Sequence, residues 1–348
     1  MILAALLFVQ SSTDVFVSGQ DGYHSYRIPS LLVAPKDTVL AFCEGRRKSR
    51  SDTGDIDLVL RRSSDGGATW GPLQVVWDDA ANTCGNPCPV LDRDTGTIWL
   101  LMTRNLGEDH ESKIIDGTSK GSRTVWVSKS MDEGATWSTP LEITNETKGS
   151  KWTWYATGPG AGIQMKNGRL VVPCDHVEAE TKQGGSHVIW SADHGATWTL
   201  GGAVPGGVNE CQVVERSDGS LLLNMRNWKT PSRERAVATS SDGGATWSAL
   251  SHDAGLVEPV CQASILRYSW DPSRILFSNP ADAKARVRMT VKLSKDEGKT
   301  WATLQELGDG PAAYSCLAVL PDRKAGCLYE CGAQSAYEKI VLARIPLE

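Results

Sequence analysis

Arg27, Asn86, Glu210 and Tyr314 each begin a strand-like run, and Glu44 with Arg46, Arg104 with Asn105, Asp175 with His176, Arg226 with Asn227, and Glu330 each end one. Asp52, Asp55 and either Arg286 or Arg288 fall in the loops that follow. Alone, each would be an ordinary solvated charge in a polar loop. Brought together they would be a site. A guanidinium is a planar fork matched to a carboxylate or phosphate. Three arginines around one small pocket therefore suit an anionic ligand, with carboxylates to orient them and offset their mutual repulsion.

Repeats supply the elements that would bring these residues together. Five segments share the pattern S-x-D-x-G-x-T-W: 63–70, 130–137, 191–198, 240–247 and 294–301. Their starts are 67, 61, 49 and 54 residues apart. Asp and Gly supply turn chemistry, and Thr-Trp resumes a β pattern, so each box reads as a turn between antiparallel strands. Six apolar runs begin at Val39, Ile98, Leu170, Leu221, Ile275 and Cys327, each preceded by another strand-like run. The unit is strand A, turn, strand B, loop, strand C, box turn, strand D. About 50 residues per unit, four strands and little helix signal predict an all-β, six-bladed β-propeller of four-stranded antiparallel blades. A β-sandwich does not account for a sixfold repeat. The sixth unit has no box, so its fourth strand is expected from the N-terminus near Val15–Val17, closing the ring.

Antiparallel order puts A starts, B ends and C starts on one rim and the boxes on the other. The box Asp residues therefore read as turn caps rather than ligands for Ca²⁺. The expected division is an apolar arm or leader at 1–12 and a single domain at 13–348.

Composition removes other classes. The 348 residues carry a net charge of -5, and the only basic run is Arg46, Arg47, Lys48 and Arg50. That disfavours a nucleic-acid partner. No stretch approaches the roughly 20 apolar residues of a membrane-spanning helix. The nine cysteines include two CxxxC spacings, Cys84/Cys88 and Cys327/Cys331. These lack the CxxC spacing and His partners of a zinc site and read as apolar strand residues. No metal or cofactor is expected. Residues Met1–Val9 read equally as a short signal core without a basic flank or as an apolar strand. Secretion or periplasmic export would follow from the first, a cytoplasmic location from the second.

Tyr26-Arg27-Ile28-Pro29, the five boxes, Asn209-Glu210-Cys211-Gln212, Ala313-Tyr314-Ser315 and Leu328-Tyr329-Glu330 resemble the exo-α-sialidase (neuraminidase) family over residues 13–345. The resemblance implies a retaining hydrolase that removes terminal sialic acids. It implies Arg27, Arg226 and Arg286 as the carboxylate-gripping triad, with Arg288 open as the third arginine. It implies Tyr314 as nucleophile, Glu210 as its base and Asp52 as acid/base, with Asp55 the fallback. Glu330 would orient Arg27, Arg46 would lie near the 4-hydroxyl, and Asn86 would join the substrate-binding set.

The chemistry is coherent. Most retaining glycosidases pair two carboxylates about 5 Å apart, and sialidases, with a Tyr nucleophile, are a stated exception. A carboxylate on the anomeric carbon would repel an anionic nucleophile. A neutral phenol, deprotonated as it attacks, avoids that repulsion. Expected partners are sialylated oligosaccharides, glycoproteins or gangliosides, acted on by a monomer. A trans-sialidase, with Trp152, Trp154 or Tyr155 as acceptor platform, and a non-catalytic sialoside-binding propeller remain alternatives. A deaminated sialic acid is a further possible substrate.

Overall fold

The computed structural model describes residues 11–347. The apolar stretch at 1–10 lies outside them. Ser11 and Ser12, read above as part of the arm, already belong to the strand Ser11–Val17.

Strand pairing groups the chain into antiparallel sets of the expected size. The first is Ser25–Val33, Val39–Arg46, Ile56–Ser63 and Gln74–Trp77. The second is Thr83–Asp92, Thr97–Asn105, Thr124–Ser130 and Leu141–Glu142. The third begins with a split strand, Trp152–Thr157 and Ile163–Gln164, and continues through Leu170–Glu178, Gly184–Ser191 and Thr199–Pro205. The fourth is Val208–Glu215, Leu221–Asn227, Glu234–Ser240 and Ser251–Val257. The fifth is Ser264–Ser269, Arg274–Pro280, Val287–Ser294 and the first part of Ala302–Val319. That long strand continues into the next set, where two separate strands were expected. It is joined there by Ala325–Cys331, Lys339–Ile345 and Ser11–Val17. The first described strand thus pairs with the last, Thr13 opposite Leu342. Among the described residues helix is confined to two short pieces, Glu111–Asp116 and Thr144–Thr147.

Each sheet buries both faces, so alternate residues feed different cores. Along Val39–Arg46, Leu40 and Phe42 pack with Ile98 and Leu100 of the second set. Val39, Ala41 and Cys43 turn the other way, to Cys316, Leu328 and Leu342. Similar seams join second to third, third to fourth, fourth to fifth and fifth to sixth. No disulfide joins the nine cysteines; eight are buried and Cys331 is half-buried.

The boxes are turns of one design. In the first, Ser63 Oγ donates to Asp65 Oδ1 at 2.7 Å and accepts from Gly67 N–H at 2.8 Å. Thr69 donates to Asp65 through N–H at 2.9 Å and Oγ1 at 2.6 Å. The other four repeat this pattern. The tryptophans do more than pack within their own set: Trp137 meets Phe42 and Trp198 meets Trp99, each on the preceding set. The glycine at the fifth box position has positive φ and lies against that same neighbour. A Cβ on Gly195 would overlap the Trp99 indole.

Candidate active site

The four innermost-strand residues singled out above sit in local breaks of register. Arg27 borders the irregularity before Ser30, Asn86 lies in the one between Gly85 and Cys88, Glu210 between Val208 and Cys211, and Tyr314 between Ala312 and Ser315. A bulge re-aims a side chain that a regular strand would send into a seam. Ile28 and Asn86 adopt φ of 61° and 54°, a strained conformation for the β-branched Ile28.

These bulges open on a cavity of about 260 Å³. Arg27, Arg46, Asp52, Asn86, Glu210, Arg226, Arg286 and Tyr314 all line it. Glu330 lies behind, fully buried. Its Oε1 accepts from Arg27 Nε at 2.7 Å and Ile28 N–H at 2.9 Å, and its Oε2 from Tyr314 N–H at 3.1 Å. One carboxylate therefore fixes both the arginine and the tyrosine backbone.

The choice between the two late arginines is clear in space. Arg286 reaches the cavity, donating to Tyr337 Oη at 3.1 Å and the Val260 carbonyl at 3.0 Å. Arg288 is half-exposed and pairs with Glu306. The strand breaks register between Val287 and Met289, with Arg288 at φ 63°, so the two arginines do not share a face. Asp55 lies outside the cavity, 3.8 Å from Arg47.

Tyr314 Oη donates to Glu210 Oε1 at 2.5 Å. Arg226 Nη1 bonds Glu210 Oε2 at 2.6 Å and approaches Tyr314 Oη at 3.2 Å. Burial raises the Tyr314 phenol well above its ordinary value and Glu210 adds to this, while Arg226 and Arg286 oppose it. The phenol is neutral in the free protein. Asp52, at the mouth with 63% of its side chain exposed, lies 2.7 Å from Arg46 Nη2 and 3.9 Å from Arg27 Nη1. Partial desolvation would raise its carboxyl, but Arg46 and then Arg27 outweigh that and hold it below the ordinary value. Arg46 is itself clamped by Glu44 and the Arg50 carbonyl.

Asn86 lines the cavity, yet its Oδ1 accepts from Arg123 and Thr103. Its side-chain oxygen holds an arginine. Arg123, Glu111, Trp154, Trp228 and Tyr337 also line the wall. Apart from Trp154, sequence reasoning passed over these. Arg123 and Glu111 belong to the long connection between the second and third strands of the second set, where no repeat period marks them. Arg123 is buried, bonded to Asn86 and Asn105, and covered by Trp154 at 4.3 Å. Of the expected acceptor aromatics only Trp154 faces the cavity. Tyr155 is fully buried, and Trp152 stacks on His176 at 3.6 Å.

On the other rim Asp92, Asp94 and His194 approach one another closely. The Gln164 amide already donates to Asp92 and Asp94, and Thr95 and His194 occupy the second Asp92 oxygen, so this is a closed hydrogen-bond cluster.

A repeat-built β-propeller with an arginine-rich cavity at one rim is the architecture of a glycoside hydrolase class. Residues 37–331 match the model of the BNR repeat-like domain. The chain is 35% identical over 337 residues to an exo-alpha-sialidase of Aspergillus fumigatus, spanning 89% of this chain and 79% of the relative. It is 30% identical to human sialidase-3, spanning 94% and 91%. It spans about half (53%) of a Micromonospora viridifaciens sialidase, at 35% identity. The structure superposes on a Hadza microbial sialidase, Hz136, with TM-score 0.88 and 31% identity, covering 97% of this chain and 68% of the other. The chain belongs to the sialidase family.

Proposed function

We propose that this protein is a retaining exo-α-sialidase that hydrolyses terminal sialic acids from glycoconjugates, with Tyr314 as nucleophile. We further infer six blades, with Ser11–Val17 closing the ring. The cyclic order of seams and the pairing with Lys339–Ile345 support this. The observation that carries the functional reading is the short Tyr314–Glu210 contact within reach of Arg226, in a cavity also lined by Arg27 and Arg286.

In this reading Arg27, Arg226 and Arg286 bind the substrate carboxylate and place the anomeric carbon over Tyr314 Oη. Tyr314 attacks while Glu210 takes its proton; the bond to the leaving oxygen breaks as Asp52 protonates that oxygen. Water then attacks the glycosyl-tyrosine, giving its proton to Asp52, and Glu210 returns the first proton to Tyr314. Arg46 and Arg27 keep Asp52 ionised in the free protein. The bound substrate carboxylate adds a negative charge beside Arg27, which raises Asp52 toward the protonated form needed for donation. Binding is thus coupled to proton uptake.

Release of free sialic acid from α2,3-, α2,6- and α2,8-linked oligosaccharides, with Arg27→Ala as control, tests the proposal. Wild-type protein that binds these sugars without releasing sialic acid, or transfers it only to another sugar, overturns it.

A further inference from the structure

The innermost strand of the fifth set, Ser264–Ser269, sends no side chain into the cavity, and neither does the segment 258–263 that leads into it. That segment passes behind Tyr314 instead. Gln262 is buried and pairs with both main-chain groups of Ser315. Its Oε1 accepts from the Ser315 N–H at 2.9 Å, and its Nε2 donates to the Ser315 carbonyl at 2.9 Å. The other amide hydrogen goes to the Pro159 carbonyl at 3.1 Å. These partners fix the way the amide faces, since turned over it would set its oxygen against two carbonyls.

The strand that carries Tyr314 explains why a side chain is needed there. From Ala312 to Val319 it pairs with Ala325–Cys331 on one side only. Buried main-chain groups on its other edge still require partners. The fifth set supplies them from alternate residues: Gln262 at Ser315, then Ser264, whose Oγ accepts from the Leu317 N–H at 3.0 Å. The bulge between Ala312 and Ser315 takes Tyr314 itself out of the ladder. Its N–H goes to Glu330 and the next residue goes to Gln262. Two side chains, rather than a sheet, hold the backbone on either side of the tyrosine.

The Pro159 carbonyl carries the link further. It also accepts from Gln212 Nε2 at 3.1 Å. Gln212 stands two residues after Glu210 on the strand Val208–Glu215. The strands of Glu210 and Tyr314 belong to different sheets, so no ladder sets their separation. Gln262 joins them through one carbonyl, beneath the contact between Tyr314 Oη and Glu210 Oε1. Pro159, Gln212 and Gln262 all lie outside the cavity lining.

We propose that Gln262 is a positioning residue for the nucleophile: it sets where Tyr314 Oη stands relative to Glu210 and the anomeric carbon, without touching substrate. This rests on the sialidase reading and deepens it. A reacting group misplaced by about 1 Å costs on the order of a hundredfold in rate. The three arginines have holders of their own, Glu330 for Arg27, Glu210 for Arg226, and Tyr337 with the Val260 carbonyl for Arg286. Binding of the substrate carboxylate is therefore expected to survive the loss of Gln262.

The test separates chemistry from binding and from folding. A difluorinated sialic acid reports attack by Tyr314 as a covalent adduct, and a 2,3-unsaturated sialic acid reports binding without reaction. In Gln262→Ala the rate constant for trapping at saturating reagent, counted per folded molecule, is expected to fall about 10- to 100-fold. The dissociation constant of the unsaturated sugar is expected to change by less than about threefold. Gln262→Met keeps most of the volume and drops all the hydrogen bonds of the amide. It should show the same split, and it serves if the alanine variant misfolds. Ser264→Ala removes the neighbouring partner of Leu317 and controls for destabilisation alone: a lower Tm with trapping unchanged is expected. Gln262 variants that trap at the wild-type rate, or that lose affinity as much as they lose trapping, overturn the assignment, as does an equal fall in Ser264→Ala. Wild type that is never trapped overturns the nucleophile reading and this inference with it, a pattern distinct from normal trapping in the variants.

Discussion

The box rim and the cavity rim carry similar residues and treat them in opposite ways. Asp132 accepts from Ser130 Oγ, Thr136 N–H and Thr136 Oγ1, so the chain itself answers both oxygens. At the cavity Asp175 Oδ2, Asn209 Oδ1, Arg123 Nε and Arg226 Nε are buried and unanswered. Repetition marks the scaffold and irregular backbone marks the cavity; buried unpaired groups occur at both, since the box tryptophans Trp70, Trp137 and Trp198 also bury an indole N–H without a partner.

Four substitutions probe that contrast. Tyr314→Phe is expected to cut turnover by about a thousandfold or more, the scale of losing a catalytic group, with little change in Tm. Wild type treated with a difluorinated sialic acid should carry a mass adduct on Tyr314, and an adduct elsewhere would remove it from the role. Arg286→Ala is expected to lower kcat/KM about 10- to 100-fold, the worth of a charged hydrogen bond; Arg288→Ala is the neutral control, and equal effects would undo the distinction between them. Gly195→Ala acts on the other rim. It forces a Cβ at positive φ into Trp99, and a loss of about 2 kcal/mol in stability is expected with kcat preserved. A larger loss of activity than of Tm would mean the rims are not separable.

The smallest effect is in pH dependence. Asp132 is held at about 2, first by Thr136, so its folded pKa is depressed. Its stabilising contribution is present above the unfolded value near 4 and is lost as pH falls through about 2. Asp132→Ala should lower Tm slightly near neutrality, by less than about 1 kcal/mol in an exposed turn, and not at all near pH 2. Asp175 has the opposite sign. Its folded pKa is raised, so stability is greatest below the unfolded value and falls as pH rises. The Tm advantage of Asp175→Asn over wild type should therefore grow with pH, and a flat difference would contradict the unpaired buried carboxyl.

Much of this was legible in the sequence for a physical reason. The box turns need the same Ser, Asp, Gly, Thr and Trp wherever they occur, so the scaffold repeats itself in letters. Strand starts at Arg27, Glu210 and Tyr314 follow from that period. Glu330 was readable as a partner of Arg27 only through the family resemblance, since some three hundred residues separate them (|i−j| = 303). What the sequence hid is local backbone geometry. Nothing in Arg286-Val287-Arg288 announces the register break that separates the two arginines. Arg123 and Glu111 lie in a connection without a period, and the unpaired Asp175 oxygen is a property of packing alone. The split third strand and the continuous Ala302–Val319 likewise depend on how neighbouring sets meet.

The pairing of Ser11–Val17 with Lys339–Ile345 has a bearing on how the protein comes to be made. At a synthesis rate of about 5–20 residues per second, the first of these strands waits on the order of half a minute for the second. Until then Phe16, which packs on Tyr26 and in the seam with Leu328 and Leu342, lacks the later half of its contacts. Until Lys339–Ile345 emerges the Ser11–Val17 edge has no pairing partner, and the two strands lie far apart in sequence. Such late, long-range pairing is slow and leaves an adhesive edge exposed. A ribosome-bound chain stalled just before residue 339 should be far more sensitive to protease than one from which Lys339–Ile345 has emerged.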